Sequence, residues 1–151
     1  MHELKPILLA EDNPSDAELT MEALAGNNLA NRVAHVRDGV EAMEYLRCEG
    51  KYSGRTTGNP AVTILDIKMP RMDGIEVLQA IRADEALKMI PVVMLTSSRE
   101  EHDLIRSYKL GINAYVVKPV KFAEFVEAVK HLGVFWAMLN EMPPDGSAHG
   151  K

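Results

Sequence analysis

The stretch VTILDIKMP, residues 62–70, decides how the rest of the chain is read. Val62 to Leu65 is a largely apolar run of strand length, interrupted only by Thr63, that stops abruptly on Asp66. Such a run suits a strand buried on both faces better than an amphipathic one. Four further runs have the same character: Pro6 to Ala10, Arg32 to Val36, Pro91 to Leu95 and Ala114 to Val117. Between the runs lie stretches with apolar residues three or four apart, as in Val40, Met43 and Leu46, in Ile75, Leu78 and Ile81, and in Phe122, Val126 and Val129. That spacing lines one face of a helix. The alternation predicts an α/β fold in which five strands and five helices make a parallel sheet covered on both faces.

Local signals agree with these boundaries. Asn13 followed by Pro14 offers an N-cap and a first-turn proline, and Asp38 can cap the next helix. Gly26 and Gly111 stand where helices are expected to end in a left-handed residue. Glu49 to Pro60, EGKYSGRTTGNP, reads as an extended surface loop, and Met142 to Lys151, MPPDGSAHGK, as a flexible tail.

Composition narrows the function. The 151 residues suffice for one domain with a sizeable core, and 46% hydrophobic with 26% charged residues is ordinary for a globular chain. A formal net charge of -5 argues against direct nucleic-acid binding, which depends on clustered Lys and Arg. A single cysteine, Cys48, allows neither an intramolecular disulfide nor a cysteine-rich zinc site, and reads as a small buried hydrophobe. The amino-terminal apolar run is too short for a signal peptide or a membrane span, so a cytoplasmic location is expected. His2, His35, His102, His131 and His149 lack metal-ligand spacing and read as surface or boundary residues.

An open α/β sheet carries its site beyond the carboxyl ends of its strands. There the runs end on Glu11 and Asp12, on Asp66, on Thr96 and Ser97, and on Lys118 and Pro119. Three carboxylates, a hydroxyl and an ammonium would then converge. Carboxylates about 4 Å apart repel by several kcal/mol at an intermediate effective dielectric, and a single lysine neutralises one of them. Hard oxygen donors with room for water suit Mg²⁺. Asp66 could then act as a nucleophile toward phosphorus, with Lys118 and the metal offsetting charge and Thr96 donating to a phosphoryl oxygen.

ILLAEDNPSD at 7–16, TILDIKMPRMDG at 63–74, PVVMLTSS at 91–98 and NAYVVKP at 113–119 resemble the response-regulator receiver family, of the single-domain type, over residues 5 to about 132. The resemblance implies a flavodoxin-like, doubly wound parallel sheet of order 2-1-3-4-5. It implies Asp66 as phosphoacceptor, Asp12 as a direct Mg²⁺ ligand, Glu11 acting through water, and the Lys68 backbone carbonyl as a further ligand. Thr96 and Lys118 would bind the phosphoryl group, and Pro119 would follow a cis bond. Tyr115 would be the rotating switch aromatic, against the plainer reading of half-buried packing. The expected domain is 1–140 with an extended last helix, and 141–151 the tail. Phe135 and Trp136 are candidates for a homodimer contact, aromatics being enriched at interfaces.

The long 49–60 loop and the aromatic ending are similar to single-domain regulators paired with phytochrome-type histidine kinases. A histidine kinase is therefore the expected donor, and a histidine phosphotransfer protein a second candidate partner. Two other classes compete: an inactive receiver-like interaction domain and a small Mg²⁺-dependent phosphatase. The first should lack an acceptor, metal ligand, threonine or lysine, yet all four positions are filled. The second, if haloacid-dehalogenase-like, needs a second aspartate that Asp66-Ile67-Lys68 does not offer. No GxxxxGK[ST] or GxGxxG phosphate loop is present either.

Overall fold

The structure is a computed structural model, and it describes residues 5–25, 32–56, 58–97 and 111–130. Five strands, β1 (Ile7–Ala10), β2 (Val33–Val36), β3 (Val62–Asp66), β4 (Val92–Thr96) and β5 (Ala114–Val117), form one sheet. Their order is β2-β1-β3-β4-β5, and every adjacent pair is parallel. The apolar runs explain why: all four residues of β1 and all five of β3 and β4 are buried, as strands covered on both sides must be.

Side-chain alternation divides the core in two. Leu8, Ala10, Leu65, Val92 and Met94 face one layer, where α2 (Gly39–Arg47) and α3 (Gly74–Ala83) bring Ala42, Met43, Leu46, Val77, Leu78 and Ile81. Ile7, Leu9, Ile64, Val93 and Leu95 face the other, against Ala17 and Leu24 of α1 (Pro14–Ala25) and Phe125 and Val129 of α4 (Phe122–Val129). Burial of a Leu or Ile side chain contributes roughly 1.5–3 kcal/mol, so the two layers supply the main driving force for the sheet.

The doubly wound sheet is as expected, but the helix count is corrected. Four α-helices, not five, stand among the described residues. The count of five rested on one helix per strand rather than on an apolar stripe identified for each. The expected helix between β4 and β5 falls at 98–110, outside the described residues. Gly26 lies outside them as well, whereas Gly111 is left-handed as expected, at φ +83°.

Caps behave as local chemistry dictates. The Asn13 side chain accepts the Asp16 backbone N–H at 2.9 Å, and Asp38 accepts that of Glu41 at 2.8 Å. Asp73 and Glu76 close a reciprocal capping box at the start of α3. α2 ends without glycine: Cys48 takes the left-handed position at φ 56°, while Glu49 N–H reaches back to Glu44 O. Cys48 is half-buried there and serves as a turn residue as much as a hydrophobe.

The 49–60 segment is better anchored than a free surface loop. One turn of 3-10 helix (Gly50–Tyr52) sets the Tyr52 ring edge-on to Tyr45, 5.1 Å between centroids. Arg55 lies over the Tyr45 ring, donates to Tyr45 O at 3.0 Å, and holds Gly58 O. Glu41 gathers the Tyr52 hydroxyl at 2.6 Å, the Lys51 ammonium at 2.9 Å and the Arg37 N–H at 3.0 Å.

Burial would raise the Glu41 carboxyl, but those donors outweigh it and bring the group down from 4.5 to about 2. A carboxyl depressed on folding contributes stability that is full above 4.5 and lost as pH falls toward 2. Glu41→Gln should therefore lower the unfolding free energy at neutral pH by about 1 kcal/mol, allowing for solvent screening. In denaturant titrations the gap to wild type should close as pH drops below 4.5; a gap that stays constant across that range would contradict the assignment.

Candidate functional site

Parallel strands release their carboxyl ends on one edge, so the side chains at or just past the ends of β1, β3 and β5 meet there. The register staggers them usefully: Glu11 N–H bonds Val36 O at 3.0 Å, Ile67 N–H bonds Leu95 O at 3.1 Å, and Lys118 N–H bonds Thr96 O at 2.8 Å. Glu11, Asp12 and Asp66 each bring a carboxylate oxygen into a group whose members all lie within 4.8 Å of one another. Glu11 and Asp66 are buried, and Asp12 opens to solvent.

Lys118 enters from beyond β5, after which a cis peptide bond leads into Pro119. Its Nζ lies 3.2 Å from Asp66 Oδ2, 3.2 Å from Glu11 Oε1 and 2.9 Å from Asp16 Oδ2. Burial alone would lower the Lys118 ammonium, yet the hydrogen bond to Asp16 and the charges of Asp66 and Glu11 hold it above its ordinary value. Glu11 moves the other way. Burial first, then its hydrogen bond with Asp66 and the charge there, push its carboxyl up to about 7, against the pull of the Asn13 N–H and Lys118.

That balance tests the site for a cation. Three carboxylates within 4.8 Å of one another, two of them buried, have one ammonium among them, and burial and the like-charged neighbour both push Glu11 up. Three hard oxygen donors, one open to water, match what Mg²⁺ takes from a protein. The residues present fit Mg²⁺.

The loop after β3 is fixed by close backbone packing. Gly74 N–H bonds Ile67 O at 2.9 Å, and a Cβ on Gly74 would strike the Asp66 carbonyl oxygen, so only glycine fits. Arg71, left-handed at φ 67°, forks onto Asp38 with Nε at 3.0 Å and an Nη at 3.1 Å, tying this loop to the cap of α2.

Of the residues singled out from sequence, Glu11, Asp12, Asp66 and Lys118 are brought together. Thr96 is fully buried at the end of β4. Tyr115 sits on β5 opposite Met94, half-buried against the α2 and α3 layer. Lys68 is exposed in the loop two residues past Asp66. Phe135 and Trp136 lie outside the described residues.

Two contacts escaped the sequence reading. Asp16 reaches Lys118 from the first turn of α1, across 102 residues of chain. His35 is not merely a boundary residue, since its Nε2 lies 2.8 Å from Glu11 O and braces the backbone of the acidic turn. Nothing in its spacing announces that long-range contact.

The chain is similar to known proteins over most of its length. The family model described as response regulator receiver domain matches residues 7–130. Response regulator Rcp1 of Synechocystis sp. is 36% identical over 139 residues, covering 92% of this chain and 93% of its own. The solved bacteriophytochrome response regulator AtBRR is 59% identical with a TM-score of 0.86, over 93% of this chain and all of that one. The corresponding figures for the bacteriophytochrome response regulator RtBRR are 57% and 0.85, over 94% and 86%. The chain therefore belongs to the response regulator receiver domain family, a phosphoacceptor of two-component signalling rather than an enzyme of external turnover.

Proposed function

We propose that Asp66 is the residue that accepts the phosphoryl group, and that a phytochrome-type histidine kinase supplies it. The observation that carries the first part is Lys118 Nζ, 3.2 Å from Asp66 Oδ2 inside an acidic group fit for a divalent cation. A carboxylate oxygen of Asp66 attacks the phosphorus of a phosphohistidine. The P–O bond forms as the P–N bond breaks, and the imidazole leaves with the bonding pair and takes up a proton. Lys118 and the Thr96 hydroxyl receive the transferred oxygens. Asp12, Asp66 and the Lys68 backbone carbonyl would hold Mg²⁺, with Glu11 reaching it through water. When bound, the metal offsets the negative charge gathered on the phosphoryl oxygens.

The signal leaves through β4 and β5. Thr96 moves toward the phosphoryl group and Tyr115 turns inward, a reading supported by Thr96 standing at the end of β4 and Tyr115 half-buried on the strand beside it. The kinase assignment draws on the bacteriophytochrome response regulators that this chain is similar to. A histidine phosphotransfer protein is a second partner under the same chemistry. Residues 1–140 make the receiver unit and 141–151 its tail, with Phe135 and Trp136 in a homodimer contact. A cytoplasmic location suits these partners, and no helix among the described residues is long and apolar enough to cross a membrane.

Incubated with Mg²⁺ and acetyl phosphate, the chain should gain one phosphoryl mass, which Asp66→Asn and chelation of the metal should each abolish. An adduct that survives Asp66→Asn would place the acceptor elsewhere. Sedimentation velocity on the same samples should show a dimer, and a monomer at high micromolar concentration would contradict the Phe135 and Trp136 contact.

A further inference from the structure

We infer that Asp16 is a positioning residue: it holds Lys118 in the resting chain and releases it when Asp66 is phosphorylated. The inference rests on the reading of Asp66 and Lys118 given above, and it adds a residue which that reading does not use.

A lysine has three N–H groups and no acceptor. Among the described residues three carboxylates surround Lys118 Nζ, with Asp16 Oδ2 at 2.9 Å, Asp66 Oδ2 at 3.2 Å, and Glu11 at 3.2 Å through Oε1 and 3.5 Å through Oε2. The shortest contact is the one to Asp16. Three acceptor groups fill three donors. A phosphoryl group on Asp66 brings new acceptor oxygens, and Lys118 can serve them only as an existing partner lets go.

Burial decides which partner that is. The Glu11 side chain is 0% exposed and that of Asp66 7%, so stripping either of its cation leaves a desolvated charge. The Asp16 side chain is 36% exposed and can be rehydrated. Its backbone is nonetheless fixed, because its N–H is capped by Asn13 and the next residue, Ala17, is buried against the sheet. Asp16 is thus a carboxylate on a rigid helix start that can trade Lys118 for water. Its hold on Lys118 opposes the phosphoryl group, and its own charge adds to that opposition.

The test uses beryllofluoride, a phosphoryl mimic, titrated in Mg²⁺ into the full chain while amide resonances are followed. Asp16→Asn should bind it about 2- to 5-fold more tightly than wild type, the range of a partly exposed ion pair. Glu22→Gln, which removes the same charge from an exposed position of the same helix, should bind it as wild type does. Structural damage would weaken binding, so a gain cannot come from misfolding. Unchanged or weaker binding in Asp16→Asn overturns the inference, as does equal tightening in Glu22→Gln. A wild-type chain that binds no beryllofluoride overturns the reading of Asp66 itself, and shows it before any variant is compared.

Discussion

The arrangement depends on one ammonium shared among three carboxylates, two of them buried. Lys118 lies at 2.9–3.2 Å from Asp16, Glu11 and Asp66, at the only edge where a parallel sheet of order β2-β1-β3-β4-β5 can bring the ends of β1, β3 and β5 together. One positive charge against that group leaves more carboxylates than cations in a partly buried place, and burial and Asp66 both push the Glu11 carboxyl up. The excess is the reason a divalent cation fits. The same excess would resist an incoming phosphoryl group unless metal and lysine both answered it.

The remainder of the fold keeps this cluster in place. Ile67 and Met69, on either side of exposed Lys68, are buried in the α2 and α3 layer, so the loop after Asp66 is pinned by its own apolar residues. Gly74 allows α3 to begin against the Asp66 carbonyl, and Gly39 lets α2 begin against the backbone of Met72. Arg71 adds a charged fork to Asp38, whose carboxyl burial would raise but which the guanidinium and the Glu41 N–H bring below its ordinary value. Two helix starts are thereby tied to the loop that follows Asp66. His35 braces the turn after β1 from the neighbouring strand.

Much of this is legible in sequence where the cause is local. Apolar runs ending on polar residues located the strands within a residue, and placed Asp66 and Thr96 at strand ends, because burial on both faces leaves little freedom in composition. Asn13 and Asp38 were readable as caps since a cap needs only its own next three residues. Sheet order was not readable from periodicity, which is the same for any arrangement of five parallel strands; it came through the family resemblance. The helix count overreached because it followed the alternation rather than an apolar stripe. Asp16 and His35 were missed for a different reason: their partners, Lys118 and Glu11, lie 102 and 24 residues away, and no spacing rule connects them. The 49–60 segment, rich in Gly, Ser and Thr, hid its anchoring in two aromatic rings and one arginine.

Glu11, Asp12 and Asp66 thus form a divalent-cation site whose charge Lys118 alone does not balance. Calorimetric titration of Mg²⁺ into the chain, compared with Asp12→Asn, tests it most directly. One ion bound per chain in the wild type, with binding lost or weakened at least about tenfold in Asp12→Asn, is the predicted result. No binding in the wild type, or equal affinity in the variant, would contradict it.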